Sequence, residues 1–113
     1  MKKYIAILIV IFSTNLLADY QGSVSINRVR IDGTYVYFGV TPQPANTCSN
    51  WGEHLKFDHT TDKGKSFLSA LLTAKSSGSK IDLWYHASTN PGTNESNGCG
   101  GNEISIMVSI AIK

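Results

Sequence analysis

Between Lys65 and Tyr85 the chain reads KSFLSALLTAKSSGSKIDLWY, a stretch whose hydrophobic period changes partway along. Its first half places apolar residues at helical spacing: Phe67 with Leu71, Leu68 with Leu72, Ala70 with Ala74. Gly78 follows the last of them, where a left-handed C-terminal cap favours a residue without a Cβ. From Ile81 the period is two, with Ile81, Leu83 and Tyr85 on one face and Asp82, Trp84 and His86 on the other. The pattern predicts a short amphipathic helix that feeds, through a Gly/Ser turn, into a half-buried strand. Thr61, Asp62 and Ser66 are all able to cap the helix start.

The flanking sequence supplies the sheet that such a strand needs. Gly22 to Ile31 alternates, but its parity slips at Asn27–Arg28, which predicts a bulge and a sharp bend. Asp32-Gly33 is a strong hairpin signal, and Thr34 to Thr41, rich in β-branched and aromatic residues, reads as the partner strand. Gly39 within it marks a second bend or a close backbone approach. Pro42 to Gly52 is a loop by composition, and His54 to His59 is a short strand with Leu55 and Phe57 on one side. After the helix and the Lys80–Ala87 strand comes a polar loop from Ser88 to Asn102, expected at the surface. In the last segment Ile104, Ile106, Val108, Ile110 and Ile112 share one parity, with Ser105, Met107, Ser109 and Ala111 on the other. This predicts an Ile/Val stripe packed on the core. Five strands with one helix between the third and fourth is the order of a mainly β, OB-fold-like barrel; a β-sandwich is the alternative, and the placed helix argues against it. Phe67, Leu68, Leu71 and Leu72 are expected to close one end of that barrel.

The N-terminus has a different character. Lys2 and Lys3 precede an apolar run from Tyr4 to Phe12, and a small residue, Ala18, follows at the expected cut. This is the layout of a signal peptide over residues 1–18; as a membrane anchor the run is too short to cross about 30 Å of hydrocarbon. Residues 19–113 then form a single domain. Without Lys2 and Lys3 it holds eight basic against eight acidic residues, so a basic footprint for nucleic acid is absent and no membrane insertion is expected. Export to a secreted or periplasmic location makes Cys48 and Cys99, the two cysteines, an expected disulfide. The loop it closes spans about fifty residues, for which chain entropy gives roughly 4 kcal/mol. A metal-binding or catalytic thiol pair is the rival, and neither cysteine has neighbours that support it.

Candidate chemistry is sparse. His54 and His59, beside Glu53 and Asp58, face opposite sides of a strand, so a zinc site is not implied and surface histidines are expected. Asn94-Glu95-Ser96 fits the glycosylation acceptor pattern and marks its loop as exposed. No nucleophile elbow, paired-carboxylate helix or phosphate loop occurs, so a non-catalytic protein without a cofactor is expected. Trp84 is the more informative residue. With Ile81, Leu83 and Tyr85 inward it faces outward between Asp82 and His86, a setting for sugar stacking, for a subunit contact, or for packing beneath a long loop. Trp51 is the second exposed-aromatic candidate.

The stretch SALLTAKSSGSKIDLWY, a helix running through a Ser-Gly turn into an outward-aromatic strand, resembles the B subunits of AB5 toxins. The nearest pattern is their subtilase-cytotoxin and pertussis-like branch; small exported bacterial proteins with a similar LLTAK-x-x-G-x-K stretch are also similar. The resemblance implies a homo-oligomer, most simply a pentamer, with glycan pockets for cell-surface glycans and a separate catalytic A subunit as partner. It also implies a serine on an early strand in the pocket, for which Ser23 and Ser25 are the candidates by position. A stand-alone periplasmic or secreted structural or inhibitory protein is the alternative.

Overall fold

The computed structural model describes residues 18–88 and 99–113. Residues 1–17 of the expected signal peptide (1–18) and the Asn94-Glu95-Ser96 pattern lie outside the described residues. Five strands, β1 (Asp19–Asp32), β2 (Tyr35–Thr41), β3 (Leu55–Asp58), β4 (Ile81–Tyr85) and β5 (Ser105–Ile112), close a ring in the order β1-β2-β3-β5-β4. The helix α1 (Asp62–Ser77) lies between β3 and β4, the mainly β arrangement expected.

The long β1 makes closure feasible. Its first half pairs with β4 and its second half with β2, and a bulge interrupts each ladder. One falls between Ile26 and Arg28, where the parity slip predicts it; the other, between Gln21 and Val24, has no such signal. Each bulge adds twist and bends the strand, which lets one strand serve two sides of a small barrel. The hairpin turn is Gly33-Thr34, one residue later than Asp32-Gly33, because Asp32 pairs with Tyr35; Gly33 takes the left-handed φ of 61°. The seam between β3 and β5 is parallel and holds two residue pairs, Leu55 with Ser105 and Lys56 with Ile106.

Inside the ring sit Val24, Val36, Phe38, Leu55, Leu83 and Tyr85, with Leu71 and Ala74 of α1 packed onto them. Thr61 caps α1, its Oγ1 accepting from Gly64 N–H at 2.9 Å, and Gly78 ends it at φ 72°. Gly64 is buried, and a Cβ there would collide with the Asp58 carbonyl, because the first turn of α1 lies directly on the end of β3. Phe67 meets Phe57 edge to face at 5.6 Å. Tyr85 is wholly buried; its hydroxyl donates to the Ala45 carbonyl at 2.6 Å, and burial pushes its pKa up to about 12.

Two sequence expectations fail here for identifiable reasons. Leu72 does not close the barrel: it is 45% exposed, because the buried stripe of α1 runs through Leu71 and Ala74, with Phe67 and Leu68 partly covered. The Ile/Val stripe of β5 does not face the core as one set. Met107 pairs with Tyr85 and Ser109 with Trp84, so Val108 is an extra residue that switches the parity of the strand. Ser105 and Met107 are therefore buried and Ile106 is 47% exposed, while Ile110 packs inward beyond the bulge. The two leucines give a direct check. By urea unfolding, Leu71→Ala should cost about 2–5 kcal/mol. Leu72→Ala, at an exposed position, should stay within about 0.5 kcal/mol. Equal losses would contradict the face assignment.

Candidate ligand-binding surface

The outer face of β1, β4 and β5 gathers four of the sequence candidates. Tyr20 and Trp84 are direct cross-strand partners, with ring centroids 5.1 Å apart and planes tilted by 47°. Tyr20 is 54% exposed and Trp84 half-buried, so together they form an open, angled aromatic wall. Asp82 stands two residues from Trp84 on the same face. Its Oδ1 accepts from the Ser23 backbone N–H at 3.0 Å and lies 3.6 Å from Lys113 Nζ. On β5, Ser109 and Ala111 lie opposite Trp84 and Asp82, leaving small side chains beside the rings.

The bulge between Gln21 and Val24 builds this arrangement. It puts Ser23 at φ 56°, a left-handed conformation uncommon for a residue other than glycine, asparagine or aspartate, and turns its N–H out of the ladder toward Asp82. Gly22 completes the corner. A Cβ there would collide with the Tyr20 hydroxyl and stand 3.0 Å from Asp82 Oδ1, so the phenol and the carboxylate converge over the bare glycine. Ser25 lies further along, its Oγ accepting from Lys80 Nζ at 3.1 Å. Such a surface offers a ring-stacking wall, an oriented carboxylate acceptor and an ammonium donor.

Two candidates lie elsewhere. His86 follows the end of β4, donates its backbone N–H to the Ile106 carbonyl at 3.0 Å, and lines a groove beside β5 instead of flanking Trp84. Trp51 sits in the β2–β3 connection, within the turn closed by Asn50 and Glu53. His54 also departs from expectation. His54 is 6% exposed, its Nδ1 accepting the Val40 N–H at 3.1 Å, and burial lowers its pKa; it is not a surface residue. His59 bonds through Nε2 to the Gly33 carbonyl at 2.7 Å, so the two rings serve separate backbone sites. No group of three or more metal-ligating side chains occurs among the described residues.

Sequence reasoning missed Tyr20 and Lys113. Tyr20 lies two residues ahead of the predicted strand start at Gly22, and its pairing with Trp84 follows only from the register of β1 on β4. Lys113 is placed by the pairing of Ile81 with Ile112, which sets the C-terminal residue beside Lys80 and Asp82. The cysteines behave as expected: Cys48 and Cys99 are disulfide-bonded, with Cα atoms 5.9 Å apart.

Substituting Gly22 tests the corner. Gly22→Ala should displace the Tyr20 ring and weaken its contact with Trp84, seen as a change in near-UV circular dichroism and tryptophan emission with the far-UV spectrum retained. Unchanged aromatic spectra would show that the glycine does not hold the wall in place. Comparison of the chain with protein-family models, curated proteins and solved structures returns no match.

Proposed function

We propose that the domain is an exported, non-catalytic binding subunit that takes a sugar ring on the Tyr20–Trp84–Asp82 surface and assembles as a homo-oligomer. One observation carries the binding reading: an exposed aromatic wall stands beside a carboxylate that a backbone N–H orients. The apolar C–H face of a pyranose packs against an indole or phenol, while its hydroxyls need fixed acceptors and donors. Asp82 Oδ1 is already engaged by Ser23 and Lys113, which leaves Oδ2 to accept a sugar hydroxyl. The 47° tilt between the rings suits one ring held at a corner better than a flat extended chain.

The resemblance to toxin B subunits supplies the rest of the proposal: a ring of copies, cell-surface glycans as targets, and a separate catalytic chain as cargo. Export is read from the N-terminal segment, and the Cys48–Cys99 disulfide is compatible with an oxidising compartment. Among the described residues no helix is long and apolar enough to cross a membrane.

A glycan array combined with light scattering tests both parts. Wild-type protein should bind a defined set of glycans and run as a multimer at micromolar concentration. Trp84→Ala should bind them at least about tenfold more weakly while keeping the same molar mass. Retained glycan binding would remove Trp84 from the site, and dissociation of the variant would place it at a subunit contact instead.

A further inference from the structure

The turn that carries Trp51 is unusual in its conformation and its anchorage. Asn50 and Glu53 bond to each other through both backbone N–H groups, at 3.1 and 2.9 Å, closing a two-residue turn at Trp51-Gly52. Both turn residues have positive φ, 56° and 77°, the requirement of a type I′ turn, whose first central position favours asparagine, aspartate or glycine. A tryptophan held there is a genuine backbone outlier, of a kind that persists only where the surroundings over-determine it. The surroundings do so. Cys48 is bonded to Cys99, Asn50 Nδ2 donates to the Cys99 carbonyl at 3.2 Å, and Glu53 is locked to Arg30. The result of all this anchorage is an indole left 67% exposed, on a turn whose Gly52 lies near the side chain of Arg28; Arg28 is 47% exposed and stands 3.3 Å from Glu53, which it shares with Arg30.

At the other end of β3 the barrel leaves a groove. The β3–β5 seam stops after two pairs, and beyond it Phe57, Phe67, Met107 and Val108 line an apolar slot of about 240 Å³, with Ile106 exposed at its rim. Pockets for drug-sized ligands run to about 300–1,000 Å³, so this one suits a single large side chain better. Lys63 stands at the rim with its Nζ 5.7 Å from the Phe67 ring centre, positioned to approach the face of a further aromatic ring. Asp58 also lines the slot; hydrogen bonds from the Thr60 hydroxyl and N–H to its Oδ1 keep its carboxyl below the usual range and therefore charged.

Knob and slot complement one another in shape, an indole and an apolar groove, and each has a charge to offer: two arginines share the single Glu53 carboxylate beside the knob, and Asp58, with Lys63 nearby, edges the groove. Tryptophan and arginine are also the residues that dominate contact energies at protein interfaces. Because the two patches lie at opposite ends of β3, no copy can satisfy both with itself. Passed from copy to copy, knob into groove, the contact runs head to tail, and such contacts close into rings when the rotation allows. We propose that Trp51 of one copy enters the Phe57–Phe67–Met107 groove of the next, with Arg28 brought against Asp58. This inference rests on the homo-oligomeric part of the proposed function and is independent of the glycan surface.

Two exposed substitutions separate knob from slot. Trp51→Gly removes the indole and relaxes the positive-φ turn, and Ile106→Arg places a charge at the rim of the groove; neither empties the core. By light scattering, wild type should be a multimer and each variant alone a monomer with native circular dichroism. Mixed together, the two variants should form a dimer and nothing larger, since only one intact knob and one intact groove remain. If wild type is a multimer and both variants keep its size, or the mixture stays monomeric, the contact is overturned while assembly stands. A monomeric wild type overturns both.

Discussion

A carboxylate with no solvent exposure holds this domain's outer surface together. Glu53 accepts from Arg30 Nε at 2.7 Å and from Arg30 Nη2 at 2.8 Å, the planar two-pronged pairing that guanidinium and carboxylate geometry favours, and Arg28 approaches the same group at 3.3 Å. Taking such a charge out of water costs several kcal/mol, so an ion pair of this kind adds little net stability, but removing one partner leaves a large penalty. That asymmetry makes the pair a device for specifying one arrangement. It ties the end of the β2–β3 connection to the C-terminal end of β1, 23 residues back along the chain. Arg30 also stacks on Tyr37 at 4.4 Å, and Tyr37 packs on the small cluster of Cys48, Cys99 and Ile104. The carboxylate, the disulfide and the aromatic ring thus hold one loop against one sheet face.

That placement decides where binding chemistry is available. In OB-type barrels the face of strands 2 and 3 is the usual platform for oligosaccharides and oligonucleotides. Here the chain's own loop reaches that face: Gly39 lacks a Cβ because the Gly52 carbonyl occupies the space one would need. On the outer face of β1, β4 and β5 Tyr20 is exposed, and it is there that rings, carboxylate and ammonium come together. The loop therefore covers one face of the sheet, while the aromatic face at Tyr20 stays exposed.

Much of this fold was legible because local signals agreed with the global one. The helix between Thr61 and Gly78 announced both its caps and its period, and β4 alternated without interruption, so the outward direction of Trp84 could be read directly. The slip at Asn27–Arg28 and the bare Gly39 likewise pointed to a bulge and a close approach that the structure contains. What could not be read were features created by pairing. Val108 is a bulge only against the step from Trp84 to Tyr85, and nothing in a run of alternating Ile and Val betrays it. Glu53 sits between a Gly and a His in a loop whose composition reads as solvent-exposed, and its partner is brought to it by the register of β1 on β2. Tyr20 became part of a surface only once β1 was paired with β4.

Urea unfolding of Arg30→Met measures the central constraint most directly. The substitution keeps an unbranched side chain of similar size but leaves Glu53 buried with the longer contact to Arg28. A loss of about 3–5 kcal/mol is expected, the scale for stripping a buried charge of its partner. A change below about 1 kcal/mol, the range of surface ion pairs, would contradict the claim that this carboxylate is what holds the loop in place.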